Sequence, residues 1–417
     1  MKILFIATTF PYPKDNGKRI ILSSIFEYLI EKHGIDNIKM CLIGNETVEP
    51  KWQSKMDITI LQKPGSIEQL MNIAIYTLLG RKSIQESMLY SKVTKQKLNK
   101  LISNEKYDLI IYDTVRASQY ASDIAPAKEI VYLDDLFSIR YEKMIETLNK
   151  YPEADLNPLG NFEKNIPLFL LPILKNDVVK KSILNFEKKK VRNSELRTCK
   201  SIEDCLLISD KEIKYLHDNY QISNVQSIKP VIASETHFRD NSYNKSTFIF
   251  LGNLSIAHNS VSLMKFLQLN IKKIIEHNLK VKIIGKNANE ELSLFVQKYK
   301  ENIILTGYVE DLGKELSSAA GMLIPLLFGS GVKIKTIEAF AAGLPVITTD
   351  FGIEGISVQN AKEPFFILEN NIENYWKSML ELSETGINDK FSELSRIFFE
   401  SNYSKEAIYD EYEKLLG

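Results

Sequence analysis

Twice along its 417 residues this chain runs the same alternation: a short apolar stretch of strand length, a polar turn, then a segment of helical periodicity. Ile3–Thr8 is the first such stretch, followed by a Pro/Gly turn and a helix from about Arg19 to Glu31. Lys39–Ile43, Ile58–Leu61, Leu109–Tyr112 and Ile130–Leu133 continue the series, and Cys205–Ser209 and Val225–Ile228 close it. Between Asn244 and Gly252 it begins again. Thr247–Leu251 leads into a helix ending near His277, Val281–Ile284 into a helix over Glu290–Tyr299, and Ile303–Thr306 into a helix over Asp311–Ala319, before Met322–Pro325. Strands alternating with helices pair in parallel and are covered on both faces, which predicts an α/β chain of doubly wound parallel sheets. A chain this long divides into domains. The polar stretch Ala233–Lys245 has linker composition, so the expected divisions are 1–232, a linker at 233–245, a second domain at 246–400 and a terminal helix at 401–417.

Charge and cysteine content narrow the function. Lys plus Arg number 53 and Asp plus Glu number 53, so no global field favours nucleic acid. A hydrophobic fraction of 44% and a charged fraction of 25% are those of an ordinary soluble protein. Cys41, Cys199 and Cys205 show neither metal-ligand nor redox spacing, which implies reduced thiols and a cytoplasmic setting. The apolar start is short and is followed by Pro11, Pro13, Lys14, Asp15 and Asn16 without a cleavage site, so it reads as a buried strand and not a signal peptide. The run Ile166–Leu174 is about half the length that spans a bilayer. It sits within a region, 150–200, that breaks the alternation with four prolines, an apolar knot and a basic run from Lys175 to Lys200. Two readings stand for this insertion. It rests on an anionic membrane surface, peripheral to the inner face, or its apolar residues pack on the first domain while the lysines form a solvated face.

The chemistry concentrates at residues 329–349. A turn built on Gly329, Ser330 and Gly331 carries Lys333 and Lys335 into a helix that presents Glu338, and Gly-Leu-Pro then leads into an apolar strand. Helix amides and two ammonium groups suit a phosphate, and a carboxylate one turn on suits sugar hydroxyls. Gly329 and Gly331 allow the backbone to approach phosphate closely. In α/β sheets ligands bind beyond the carboxyl ends of strands. The loops 252–259, 285–289, 306–311 and 328–335 all lie there, with 350–355 beside them. In the first half, Gly17 permits close approach or simply turns the chain. Asp113 and Arg116, and then Asp134, Asp135 and Arg140, follow strands where polar groups reach a cleft, and each is equally suited to a helix cap or an ion pair. His258 is the best placed of the five histidines, and no Asp-x-Asp metal motif is present.

The second half is similar to the donor domain of the retaining nucleotide-sugar glycosyltransferases of the GT-B fold, in the family 4 or "group 1" class. The matching pieces fall in the family's order: Phe250-Leu-Gly-Asn-Leu with Asn259 after it, Ile284-Gly, Leu305-Thr-Gly-Tyr-Val-Glu-Asp-Leu, Ile324-Pro-Leu, the 329–349 segment, and Gly352-Ile-Glu-Gly-Ile. The first half resembles the family more loosely, through Phe10-Pro-Tyr-Pro-Lys-Asp-Asn-Gly-Lys-Arg. Leu133-Asp-Asp-Leu-Phe-Ser-Ile-Arg-Tyr and the spaced Glu187 and Glu195 resemble a bacterial sugar-transferase subgroup, and Asn402-Tyr-Ser resembles the entry to the terminal helix that crosses back to the first domain.

The resemblance implies two facing Rossmann-like domains with a cleft between them. It implies transfer of a sugar, with retention, from a nucleotide-diphosphate sugar to a glycan or lipid-linked acceptor in bacterial surface polysaccharide or glycolipid synthesis. It places Glu338 on ribose hydroxyls and Lys333 and Lys335 on the diphosphate, and sets Gly252, Asn253, His258, Gly285, Gly329, Ser330 and Gly331 around the donor. Tyr308 and Val309 fall in the base-binding loop, acting through main-chain groups or packing by their side chains. Asp113 is the first-domain candidate for catalysis, with Gly17 and Arg116 toward acceptor or phosphate. No cofactor or metal is implied beyond the donor. Three positions depart from the pattern: Asn253 replaces an arginine, His258 a lysine, and Ser330 the first glutamate of a pair. Two alternatives remain open, a non-catalytic GT-B subunit that binds glycan or a partner enzyme, and a nucleotide-sugar epimerase of the same fold.

Overall fold

Short, β-branched apolar runs become strands here because helices cover both of their faces. The computed structural model describes residues 1–14, 16–121, 127–152, 176–232, 239, 242–358 and 363–417. The apolar run 166–174 and most of the expected linker 233–245 lie outside the described residues. Seven parallel strands form one sheet: β1 (Ile3–Ala7), β2 (Ile38–Ile43), β3 (Asp57–Leu61), β4 (Leu109–Asp113), β5 (Lys128–Asp134), β6 (Asp204–Leu207) and β7 (Val225–Ser227), in the order β3-β2-β1-β4-β5-β6-β7. The central strands β1 and β4 are buried at every position. Six more, β8 (Asn244–Leu251), β9 (Lys280–Ile284), β10 (Ile303–Gly307), β11 (Ala319–Ile324), β12 (Val346–Thr348) and β13 (Phe366–Leu368), form a second parallel sheet in the order β10-β9-β8-β11-β12-β13.

The described residues divide into two compact units. One holds the first sheet, from the amino terminus through Pro230, together with Lys414–Gly417; the other holds Tyr151, Pro152 and the chain from Val231 to Glu413. Within the first unit, Lys128 Nζ donates to the Leu415 carbonyl at 3.4 Å. The helix Asp177–Ser201 buries Leu184, Glu187, Val191, Glu195 and Cys199 along one face. On its other side, Lys188 and Arg192 reach Glu142 on the helix Phe137–Lys150. The described part of the basic stretch is therefore the outer side of a packed helix. All three cysteines are buried and unpaired, and burial pushes the Cys41 thiol up to about 12.

Each sheet reverses its direction of growth once, between β1 and β4 and between β8 and β11, and at such a switch point the flanking loops part and leave a crevice. In the second unit the loops on the β8-β9-β10 side of the crevice are laced together by backbone across the strand ends. Gly252 N donates to Ile284 O at 3.0 Å, Leu254 N to Lys286 O at 2.9 Å, and Gly285 N to Gly307 O at 2.8 Å. The crossing is so close that a Cβ on Gly285 would stand 1.9 Å from the Gly252 carbonyl oxygen. Gly285→Ala is expected to lower the thermal midpoint by on the order of 10 °C or to prevent folding. A melting curve matching the wild type would show that the lacing is not a constraint.

Candidate active site

The turn at residues 329–335 takes its shape from small residues and internal lysine contacts. Gly329 (φ +137) and Gly331 (φ +73) lie in the region that favours glycine. Lys333, only 6% exposed, curls back so that its Nζ donates to the carbonyls of Ser330 at 2.9 Å and Gly331 at 2.6 Å. The helix Ile334–Ala341 starts directly after it. Gly355 lets the neighbouring loop close against this turn, since a Cβ there would meet Val332 Cγ2 at 2.6 Å, while Gly352 lets that loop fold against the end of β12, where a Cβ would meet Thr348 Oγ1 at 2.1 Å. Thr336 Oγ1 donates to the Gly352 carbonyl at 2.7 Å and fastens the loop.

Lys335 is the electrostatic centre. Its ammonium donates to the Leu251 carbonyl at the end of β8 (3.0 Å) and to Asn259 Oδ1 (2.9 Å), with the Phe250 ring centroid at 4.8 Å. The buried Asn259, in the first turn of the helix Ala257–Glu276, donates in turn to the Asn253 carbonyl at 2.9 Å. One lysine thus joins the loop after β8 to the turn after β11, across the switch point. Loss of water around Lys335, reinforced by the Lys333 charge, lowers its pKa to about 7, with Glu338 acting the other way. Glu338 lies one turn along and is raised by the same desolvation, with Lys335 opposing. Among the described residues its carboxylate has no hydrogen-bond partner. His258, whose ring is 3.7 Å from a Cβ built on Gly329, is held neutral by burial and by both lysines.

The other second-unit candidates have distinct surroundings. The Asn253 carboxamide oxygen is occupied within its loop, accepting from Ser255 N and Oγ and from Asn287 Nδ2. Ser330 offers its carbonyl to Lys333. Tyr308 is 69% exposed, with the Lys286 ammonium 4.4 Å over its ring, so its side chain is not part of the core. Val309, half-buried, follows it. Sequence places Asn259 just after the glycine loop but does not show that it holds Lys335. An asparagine seven residues after Gly252, early in an amphipathic helix, is the signal available in the sequence.

The first-unit candidates form a group of their own at the β1/β4 switch point. Gly17 opens the helix Gly17–His33, capped by Asn16, whose side chain accepts from Arg19 N at 3.1 Å. Asp113 is fully buried; it pairs with Lys18 at 2.9 Å and accepts from Thr8 N and Oγ1. Arg116 lies over the Phe137 ring at 4.6 Å and its pKa is lowered by burial, with Asp113 opposing. Arg140 forks onto Asp135, its Nε donating at 2.8 Å, and also faces Asp134. Thr114 (φ 66) and Asp134 (φ 72) stand in the left-handed region at adjacent strand ends, a strained conformation for side-chain-bearing residues. Glu187 and Glu195 are buried acceptors. Glu187 takes the amides of Ile84 and Gln85, and Glu195 takes the amide and hydroxyl of Ser138. Burial raises them to about 7 and about 8. Among the described residues no three His, Cys, Asp or Glu side chains cluster so as to hold a metal.

Two doubly wound parallel sheets in two compact units, the second with a paired-lysine turn at its switch point, define a Rossmann-like α/β architecture of GT-B type. Residues 245–385 match the family model described as glycosyl transferases group 1, and this segment is a domain of that family. The chain is 22% identical, over 98% of both lengths, to a Klebsiella pneumoniae protein described as an uncharacterized 44.6 kDa protein in the cps region. Among solved structures it is similar to S. aureus TarM, in a variant complexed with fondaparinux, alpha-GlcNAc-glycerol and UDP. There the TM-score is 0.63 and the identity 12%, with 100% of each chain covered. It is also similar to HepE from Anabaena in complex with UDP, at a TM-score of 0.62 and 12% identity over 100% of this chain and 99% of that one. These likenesses show the GT-B fold.

The lowered Lys335 pKa has a measurable stability signature. Folded, the group titrates near 7; unfolded, it returns to its ordinary value of 10.5. Below pH 7 both forms hold the proton and the folded chain bears the full desolvation cost. Between pH 7 and 9 the folded chain sheds the proton, and that cost shrinks. The wild type is therefore expected to gain stability relative to Lys335→Met as pH rises from 7 to 9. Calorimetric midpoints across this range check it, and a gap independent of pH contradicts the assignment.

Proposed function

We propose that the chain is a retaining glycosyltransferase that moves a sugar from a nucleotide-diphosphate donor to a glycan or lipid-linked acceptor. The process served is bacterial surface polysaccharide or glycolipid synthesis on the cytoplasmic side. The observation that carries this reading is Lys335: a desolvated ammonium at the switch point, beside a glycine-rich turn, a helix amino terminus and an unpartnered carboxylate. The Klebsiella relative from a capsule region supports the process. The UDP complex of HepE supports the donor class, and the TarM complex with UDP and alpha-GlcNAc-glycerol supports a glycosylated acceptor.

On this reading the diphosphate lies over the first turn of the helix Ile334–Ala341. Its negative charge restores the proton to Lys335, and Lys333 turns from the Ser330 and Gly331 carbonyls toward it. Glu338 accepts from the ribose hydroxyls. In the transfer step the bond between the anomeric carbon and the phosphate oxygen breaks, and the bond to the acceptor oxygen forms on the same face. The acceptor hydroxyl's proton passes to the departing phosphate. The charge developing on that phosphate is met by the two lysines and the turn's amides, so no resident metal or cofactor is required. Asp113, Arg116 and Gly17 fall to the acceptor-side unit, with residues 401–417 as the returning helix. Ser330, lacking a carboxylate, leaves the donor sugar to be held by other groups.

Lys335→Ala is expected to reduce turnover at saturating donor by at least about tenfold, as loss of a transition-state charge partner does. Glu338→Gln should chiefly raise KM for the donor. Unchanged turnover in the lysine variant would remove that residue from the reaction. The occupied carboxamide of Asn253 favours a second reading, a GT-B subunit that binds without transferring. Thermal shift against UDP, GDP, ADP and TDP sugars separates the two, because a bound donor raises the midpoint and only the enzyme then releases the nucleotide diphosphate.

A further inference from the structure

Residues 66–79 form a helix turned inside out. The α-helix Ser66–Asn72 continues into the π-helical turn Ile73–Thr77. A surface helix ordinarily buries its apolar stripe and shows its polar side to water. Here the buried side chains are polar and are anchored by hydrogen bonds. Gln69 Nε2 donates to Pro64 O at 3.0 Å, Asn72 Nδ2 to Tyr90 O at 2.6 Å, and Thr77 Oγ1 lies 2.7 Å from Ser87 Oγ. The outward side chains are Ile67, Leu70, Met71, Ile75, Leu78 and Leu79, with Ile67 at 78% and Leu78 at 72% exposure. Six large apolar groups on one outward stretch are more than the scattered exposure normal for a soluble surface and mark an interaction site.

The carboxyl end of this stripe is cationic. Arg81 is exposed, Arg197 Nη2 donates to the Arg81 carbonyl at 2.8 Å, and the Lys190 ammonium lies 3.0 Å from where a Cβ on Gly80 would be. Between Lys63 and Gln85 the sequence contains one acid, Glu68, at the opposite end. Apolar side chains beside exposed guanidinium and ammonium groups complement a surface that is apolar beneath and anionic on top. A second copy of the chain would bring the same cations to the same interface, which disfavours it as the occupant.

We propose that the outer face of residues 66–79, with Arg81, Lys190 and Arg197, docks this protein on an anionic membrane surface. The inference stands apart from the catalytic reading, since none of its readouts requires sugar transfer.

The test uses the full chain and vesicles of equal parts phosphatidylglycerol and phosphatidylcholine, against phosphatidylcholine alone. The protein is expected to sediment with the anionic vesicles at low ionic strength and to be released by salt, as screening requires. Leu78→Asp combined with Leu79→Asp should cut the bound fraction about tenfold. These side chains are mostly exposed, Leu78 at 72% and Leu79 at 64%, so the melting curve should be little changed. Arg81→Glu with Arg197→Glu should remove the salt-sensitive part of binding. As an independent reading, Met71→Cys carrying an environment-sensitive dye should shift to the blue with anionic vesicles alone. Equal binding of the leucine variant and the wild type, equal binding to neutral vesicles, or an unmoved dye would each overturn the proposal. So would a concentration-dependent dimer that the leucine variant abolishes in the absence of vesicle binding, which would assign the face to a second copy.

Discussion

An ammonium group enclosed by a strand end, an asparagine and an aromatic ring organises the loops of the second unit. Lys335 reaches from the helix after β11 to the Leu251 carbonyl and to Asn259, so the two loops that part at the switch point are held at a fixed separation. Asn259 can act only because Gly252 lacks a side chain, since a Cβ there would lie 2.9 Å from the carboxamide. Gly252 in turn sits against Gly285. A chain of close approaches therefore runs from strand end to strand end, and the lysine completes it. Because the charge is partly desolvated, the same contact that sets the geometry also sets the protonation of the site.

The second unit was largely legible from sequence because its informative residues are local. Glycines at strand ends, a Gly-Ser-Gly turn and a helix bearing Lys335 and Glu338 follow one another within a few residues, and the resemblance to the donor domain gives them their order and roles. Strand alternation likewise gave the parallel sheets, since buried parallel strands read as unbroken apolar runs. The edge strand β13 (Phe366–Leu368) is not legible in the sequence, because three residues are too few to establish a period.

What stayed hidden depends on partners distant in sequence. Glu187 and Glu195 stand out as spaced acids on a basic helix, but nothing nearby shows that they accept amides from Ile84 and Gln85 or from Ser138. Asp113 and Arg116 could be placed at a strand end, yet only the fold reveals the Lys18 ammonium and the Phe137 ring against them. The segment 66–79 is hard to read from sequence for a different reason. Pattern reading assumes that apolar residues face the core, and in this helix the assumption is reversed.

That reversal separates two properties that most surface helices hold together. Ordinarily the residues that make a helix apolar are those that attach it, so its surface chemistry cannot change without cost to folding. Here attachment rests on Gln69, Asn72 and Thr77, while Ile67, Met71, Leu78 and Leu79 contribute little to the interior. The chemistry of the outer face can therefore change without loosening the helix, whose anchorage stays with its three inner polar residues.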